Sequence, residues 1–286
     1  MKYFLKLSLF LSVPVSAIIG PRAVRAPINN TTKAIGTINF PADSRGPARK
    51  RCGVTLIDQC TFITAAHCLY KKEWEGKEVK IEMPQLPESP YFVIDKINIS
   101  PPRLAKSSMT VSELDIGIFT VKEPCPATKP LPLYAGALTD LKTICPSGKF
   151  TAYGFMNHHR AKRNSWNYGP LMQGPFESSE AGKISSRVNG ETNSTIPNSY
   201  SFEFVTKDTA HVGGDSGSAL VCESLKGPVI VGVVSASGLV DTTFKTDSRL
   251  PYLLVSSQIE WVSETLRTLK EEGNTLIPFE PVKVVR

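Results

Sequence analysis

The chain has no apolar run of the roughly 20 residues that a membrane-spanning helix needs. The one near the start, Leu7 to Val15, falls well short of that length. There is no internal repeat, and no low-complexity linker separates the halves. No Cys-x-x-Cys or His–Cys cluster has the spacing of a zinc site. Charge bias is slight: 33 Lys and Arg against 26 Asp and Glu over 286 residues give a formal charge of +7. With 41% hydrophobic and 21% charged residues, the composition is that of an ordinary globular protein. It excludes a disordered chain, a collagen and a coiled coil. Helical periodicity is also scarce, appearing clearly only once, late in the chain.

What is present begins with an export signal. Lys2 and Lys6 give a positive start, the run Leu7 to Val15 follows, and Val15-Ser16-Ala17 supplies small residues for a signal peptidase. Cleavage after Ala17 is the expectation, which lowers the formal charge from +7 to +5. The basic clusters, Arg49-Lys50-Arg51 and His158-His159-Arg160 with Lys162-Arg163, sit in polar stretches. They read as solvated loops rather than a nucleic-acid surface. Six cysteines in an exported chain imply disulfides, with a pairing that counting alone leaves open.

Short apolar runs rich in Val, Ile, Phe and Thr recur between turn residues, with 22 prolines and 20 glycines scattered along the chain. The runs are 34–40, 53–57, 62–66, 91–99, 115–121, 150–155, 200–205, 218–222, 229–234 and 252–256. Residues 156–180 contain few such runs and read as an exposed loop. In 257–272, Ile259, Val262, Leu266 and Leu269 recur at steps of three and four, with Ser256 or Ser257 to cap the helix and Gly273 to stop it. Many strands and one terminal helix imply an all-β barrel or sandwich. The Pro-rich stretch 124–132 is the best crossing between two β units.

Three segments carry chemistry. Thr64-Ala65-Ala66-His67-Cys68 places a histidine at a strand end beside a cysteine, where it can be held as a rigid general base. By itself such a histidine is as readily structural. Leu114-Asp115-Ile116-Gly117-Ile118 puts a carboxylate in an apolar strand, which is costly without partners. A salt bridge and an acid that orients a histidine are both consistent with it. Gly213-Gly214-Asp215-Ser216-Gly217-Ser218 is more specific. Glycines on both sides of Ser216 let the chain turn sharply and let a substrate approach. Such a turn can aim the N–H groups of Gly214 and Ser216 at one point, as an oxyanion hole requires.

These segments, in the order His, Asp, Ser, resemble the signature segments of the trypsin/chymotrypsin-like serine protease family. Cys52-Gly53-Val54-Thr55-Leu56-Ile57 is similar to the strand before the histidine, Val231-Gly232-Val233-Val234-Ser235 to the substrate-binding strand, and 252–257 with Ile259 and Trp261 to the last strand and helix. The resemblance covers nearly all of residues 18–272. It implies an all-β fold of two antiparallel six-stranded barrels (about 34–130 and 131–256), a C-terminal helix (257–272) and a tail from 273. It also implies His67 as base, Asp115 as its orienter, Ser216 as nucleophile, and Gly214 and Ser216 as oxyanion donors. Ser235 would bond to Asp115, and the disulfides would be Cys52–Cys68, Cys60–Cys125 and Cys145–Cys222. The implied function is a secreted or periplasmic serine endopeptidase acting on polypeptides. No cofactor, metal, nucleic acid or membrane is implied after signal removal, and the protein would be a monomer.

No Arg or Lys before Ile-Val-Gly-Gly stands where such zymogens are cut. Cleavage after Ala17 would instead free Ile18, whose segment 18–38 is similar to the start of bacterial glutamyl-endopeptidase-like members. Its α-amine would pair with Asp215, although Pro21 replaces the expected second glycine. The expected pocket residues are Ala210, His211, Ser235 and Ser237. Ala210 stands where trypsins keep an aspartate, so cleavage after Lys or Arg is not expected. A catalytically silent binding protein on the same fold is the competing function, but no triad member is lost. An α/β-hydrolase is disfavoured because its acid and histidine follow the serine.

Overall fold

The computed structural model describes residues 18, 22–40, 49–69, 78–88, 90–99, 115–136, 140–146, 149–156, 168–177, 201–206, 209, 211, 214–235 and 248–273. The expected signal peptide, Ala210, Gly213, Ser237, the pair His158 and His159, and the tail after Gly273 lie outside them. The strands are β1 (Val24–Arg25), β2 (Ile35–Phe40), β3 (Arg49–Asp58), β4 (Thr61–Thr64), β5 (Lys80–Glu82), β6 (Tyr91–Ile99), β7 (Gly117–Val121), β8 (Lys149–Met156), β9 (Tyr168–Glu177), β10 (Ser201–Thr206), β11 (Ala219–Ser224), β12 (Gly227–Val234) and β13 (Ser248–Leu254). Among the described residues, the α-helices are α1 (Asn30–Lys33), α2 (Leu141–Ile144) and, after the last strand, α3 (Ile259–Gly273). Among the described residues no helix is long and apolar enough to cross a membrane.

The first unit is a closed antiparallel barrel of six strands, ordered β2-β3-β4-β7-β6-β5. Closure leaves no unpaired edge, and the inward side chains fill the interior. Phe62 on β4 stacks on Phe119 of β7, with ring centroids 5.3 Å apart, a pairing worth about 0.5–1.5 kcal/mol beyond its burial. The second unit is a seven-stranded antiparallel sheet ordered β1-β9-β8-β11-β12-β13-β10. It therefore has one strand more than the six expected. The addition is β1, two exposed residues of the N-terminal arm paired with Gln173 and Met172. A segment so short has no readable alternation.

The loop expected over 156–180 is corrected by β9, which runs antiparallel along β8 from Lys149↔Glu177 to Met156↔Tyr168. Gly169, Pro170, Gly174 and Pro175 interrupt its sequence and hide it, since glycine and proline ordinarily weaken strands. The three-residue β5 was too short to detect. The segment after β7 crosses between the units: Leu131 N–H donates to Leu56 of β3 (3.0 Å), while Tyr134 N–H donates to Ile230 of β12 (2.8 Å). At the end of the chain, Val262, Leu266 and Leu269 form the buried stripe of α3, and Lys270 pairs with Asp58 of β3 at 2.8 Å.

Candidate active site

Asp115 lies two residues before β7 and is 2% exposed. A carboxylate in that position needs donors, and it has them. Its Oδ1 accepts the backbone N–H of His67 at 2.8 Å. Its Oδ2 accepts the Ser235 hydroxyl at 2.7 Å and lies 2.7 Å from Nδ1 of His67. Both carboxylate oxygens accept, so Nδ1 is the donor, and Nε2 is left as the ring's acceptor. The His67 side chain is 40% exposed, enough for that nitrogen to meet a substrate.

His67 sits in a single 3-10 turn, Ala66–Leu69, directly after β4. Three features hold this turn. Ala66 N–H donates to the Asp115 carbonyl at 3.1 Å. Gly117 packs so closely on Leu69 and Ala66 that a Cβ there would collide with them. The Cys52–Cys68 disulfide ties the turn to β3. The atoms Sγ of Cys52, Sγ of Cys68 and a ring nitrogen of His67 lie within 4.8 Å of one another. This is no metal site, because both sulfurs are bonded to each other.

The serine turn is gripped from both units. Gly214 and Gly217 hold φ of +107° and +83°, values that side-chain-bearing residues rarely adopt. Gly53 N–H donates to the Ser216 carbonyl (2.8 Å), Cys52 N–H to the Gly214 carbonyl (3.0 Å), and Gly217 N–H to Val234 on β12 (2.7 Å). Cys52 is free to do this because it is the extra residue of a β-bulge: Thr37 faces Gly53 and Ile38 faces Arg51. Its φ of +62° turns its N–H out of the ladder, a strain of about 1–2 kcal/mol. Gly53 packs directly on Ser218, and Gly217 on Thr64 and Gly53, with no room for a Cβ on either glycine. The Cys68 sulfur lies 3.8 Å from the Ser216 carbonyl oxygen, so the histidine turn and the serine turn meet.

Beneath Ser216, Asp215 is fully buried. Its Oδ1 accepts Phe155 N–H at 3.2 Å, and the carboxylate lies flat on Gly154. His211, read from the sequence as a pocket residue, is 1% exposed. Its Nδ1 lies 3.6 Å from Asp215, and its Nε2 is hydrogen-bonded to the Tyr252 hydroxyl. Burial, and next the Asp215 charge, push Tyr252 ionisation well above its ordinary value. Ile18 is fully buried and packs at Gly174 and Thr209.

The other two disulfides join Cys60 to Cys125 and Cys145 to Cys222. The sequence reading missed the roles of Cys52, Gly53, Gly154 and Tyr252. Glycines inside strands at 53 and 154 were the available signal, since such glycines often mark a close backbone approach.

Sequence comparison matches residues 38–247 to the family described as Trypsin. Among solved structures, the secreted serine protease VesC from Vibrio cholerae is similar, with a TM-score of 0.57 at 18% identity. The match covers 85% of this chain and 48% of that one, so the chain spans about half the length of that relative. At this identity the likeness concerns the fold alone. No curated protein matches the chain in sequence.

Proposed function

Because the chain belongs to the trypsin/chymotrypsin-like serine protease family, we propose that it is an exported serine endopeptidase using His67, Asp115 and Ser216. The observation that carries this reading is the buried Asp115 carboxylate, which accepts from the His67 backbone, the His67 ring and Ser235 together. That set fixes the tautomer and orientation a general base requires. In the reaction, Ser216 Oγ attacks the scissile carbonyl while Nε2 of His67 takes its proton. The imidazolium formed is stabilised by Asp115, which stays ionised. The carbonyl oxygen, now an anion, is received by the N–H groups of Gly214 and Ser216. His67 returns the proton to the leaving amine, and an acyl-enzyme remains on Ser216. Water, deprotonated by His67, then attacks the acyl carbonyl, and His67 passes that proton to the departing Ser216 Oγ as the acid product leaves.

Polypeptides are the substrates, and the monomer is the acting unit. Ala210 in place of an aspartate supports a P1 residue other than Lys or Arg, small or apolar. Cleavage of a peptide library tests this, and a strong Lys or Arg preference contradicts it. Export is supported by the signal-like start and by three disulfides, which persist in oxidising compartments. Cleavage after Ala17 would free the Ile18 amine to pair with Asp215. The burial of both residues agrees with such an inserted end. N-terminal sequencing of the secreted protein tests it, and a start well past Ile18 excludes it. The enzyme reading is tested by casein hydrolysis and organophosphonate labelling, both lost in Ser216→Ala.

A further inference from the structure

Asp215 precedes Ser216, and what holds its carboxylate therefore holds the serine turn. Oδ1 is fixed by Phe155 N–H at 3.2 Å. Oδ2 faces Nδ1 of His211 at 3.6 Å, longer than a hydrogen bond and electrostatic in character. In a dry interior a polar contact of this kind is screened less than in water. Nε2 of His211 is bonded to the Tyr252 hydroxyl, and the two rings meet edge to face with centroids 5.4 Å apart. Burial and the Asp215 charge keep the Tyr252 phenol protonated. Because Nδ1 faces the accepting Asp215 carboxylate, the ring proton belongs on that side, and the phenol is the donor to Nε2. A neutral imidazole that accepts at Nε2 carries its proton on Nδ1, the nitrogen that faces Asp215.

The order carboxylate, imidazole, hydroxyl thus occurs beside Ser216 in a fully buried form. Asp215, His211 and Tyr252 are 0%, 1% and 0% exposed, against 40% for the His67 side chain. Sealed in this way, the chain is suited to holding a group in place rather than to passing protons to a substrate.

We propose that His211 is a positioning residue: Tyr252 fixes its tautomer, and its Nδ1–H holds Asp215 so that the Ser216 turn keeps its reactive shape. The proposal rests on Ser216 being the nucleophile. The mechanical link is short. The Asp215 carbonyl accepts Ser218 N–H at 3.0 Å, and Gly214 and Ser216 are pinned through their own carbonyls by Cys52 and Gly53. An Asp215 side chain that rotates away twists the peptide units on both sides of it. Those units carry the Gly214 carbonyl and the Ser216 N–H, the latter one of the two oxyanion donors. A misplacement of about 1 Å at such a site costs about 100-fold in rate.

The test compares His211→Asn, His211→Gln, His211→Leu and Tyr252→Phe in the secreted full-length protein. Asn places an amide N–H near the position of Nδ1, whereas Gln reaches Tyr252 and removes the Nδ1–H that faces Oδ2 of Asp215. The readouts are kcat, KM, the P1 profile, the organophosphonate labelling rate and the melting temperature. In Leu and Gln variants, kcat and labelling fall together by about 100-fold while KM and the P1 profile hold; Asn recovers to within about tenfold of wild type. Tyr252→Phe falls between them. A Gln variant as active as wild type, or changes confined to KM or the P1 profile, overturns the proposal and makes His211 a pocket wall. Should Leu not fold, the Asn, Gln and Tyr252→Phe variants decide, because each keeps the site filled. A wild-type protein that does not label overturns the nucleophile reading and this proposal with it. A labelling wild type with indifferent variants overturns this proposal alone.

Discussion

At the residue scale, the site depends on donors aimed at two buried carboxylates and on glycines that leave them room. Asp115→Asn keeps the shape but offers an N–H where Oδ1 or Oδ2 now accepts. The His67 tautomer is then wrong, and kcat is expected to drop on the order of 10,000-fold with little change in fold. Steady-state kinetics beside a circular dichroism spectrum checks this, and a loss below about tenfold contradicts it. Ser235→Ala removes one donor from the same carboxylate. Denaturant unfolding should find it less stable by about 1–3 kcal/mol. Gly154→Ala would drive a Cβ into the Asp215 carboxylate, so the variant is expected to fold with a large kcat loss. Of these residues, His67, Asp115, Asp215 and Ser235 were identified from the sequence. Gly154 was not, because its reason for being glycine is a contact 61 positions away along the chain.

At the element scale, the bulge in β3 and the turn after β4 act as one clamp. The Cys52–Cys68 disulfide spans a sequence separation of 16 and joins the residue that anchors Gly214 to the turn that carries His67. The Cys60–Cys125 bridge spans 65 and touches neither. Replacing either pair by alanine should lower stability by about 2–4 kcal/mol. Only the first replacement is expected to reduce kcat in the protein that remains folded. Equal kinetic losses from the two pairs would contradict the clamp. Most strands were readable because alternating β-branched and aromatic residues set them off from turns. Besides the short β1 and β5, the exception is β9, a strand by virtue of its ladder with β8, not its own propensity. Its Gly174 gives Ile18 and Thr209 room to pack, a requirement that composition cannot reveal. Likewise Cys52 adopts a positive φ for the sake of partners in the other unit, and nothing local in its sequence announces that.

At the scale of the whole molecule, the two units meet at the site, and the backbone bonds from Cys52 and Gly53 to the serine turn cross between them. The deep packing has a signature at high pH. Tyr134 is pushed up to about 12 by burial and by Asp140; burial raises Tyr153 and Tyr252 as well, helped by Glu223 and Asp215 respectively. In the unfolded chain these phenols ionise near 10. The stability they lend is therefore complete below that pH and lost as pH climbs toward the folded values. A phenolate absorbance titration should find these three still protonated at about pH 11 in the native protein. All the tyrosines of the secreted protein titrating together near the ordinary value, without unfolding, would contradict this. The central claim of a nucleophilic serine is tested most directly by active-site labelling. A fluorescent organophosphonate should modify the wild-type protein at Ser216, one label per chain, abolish its casein cleavage, and leave Ser216→Ala unmodified. No adduct on the wild type, or an adduct that persists in Ser216→Ala, would contradict the account.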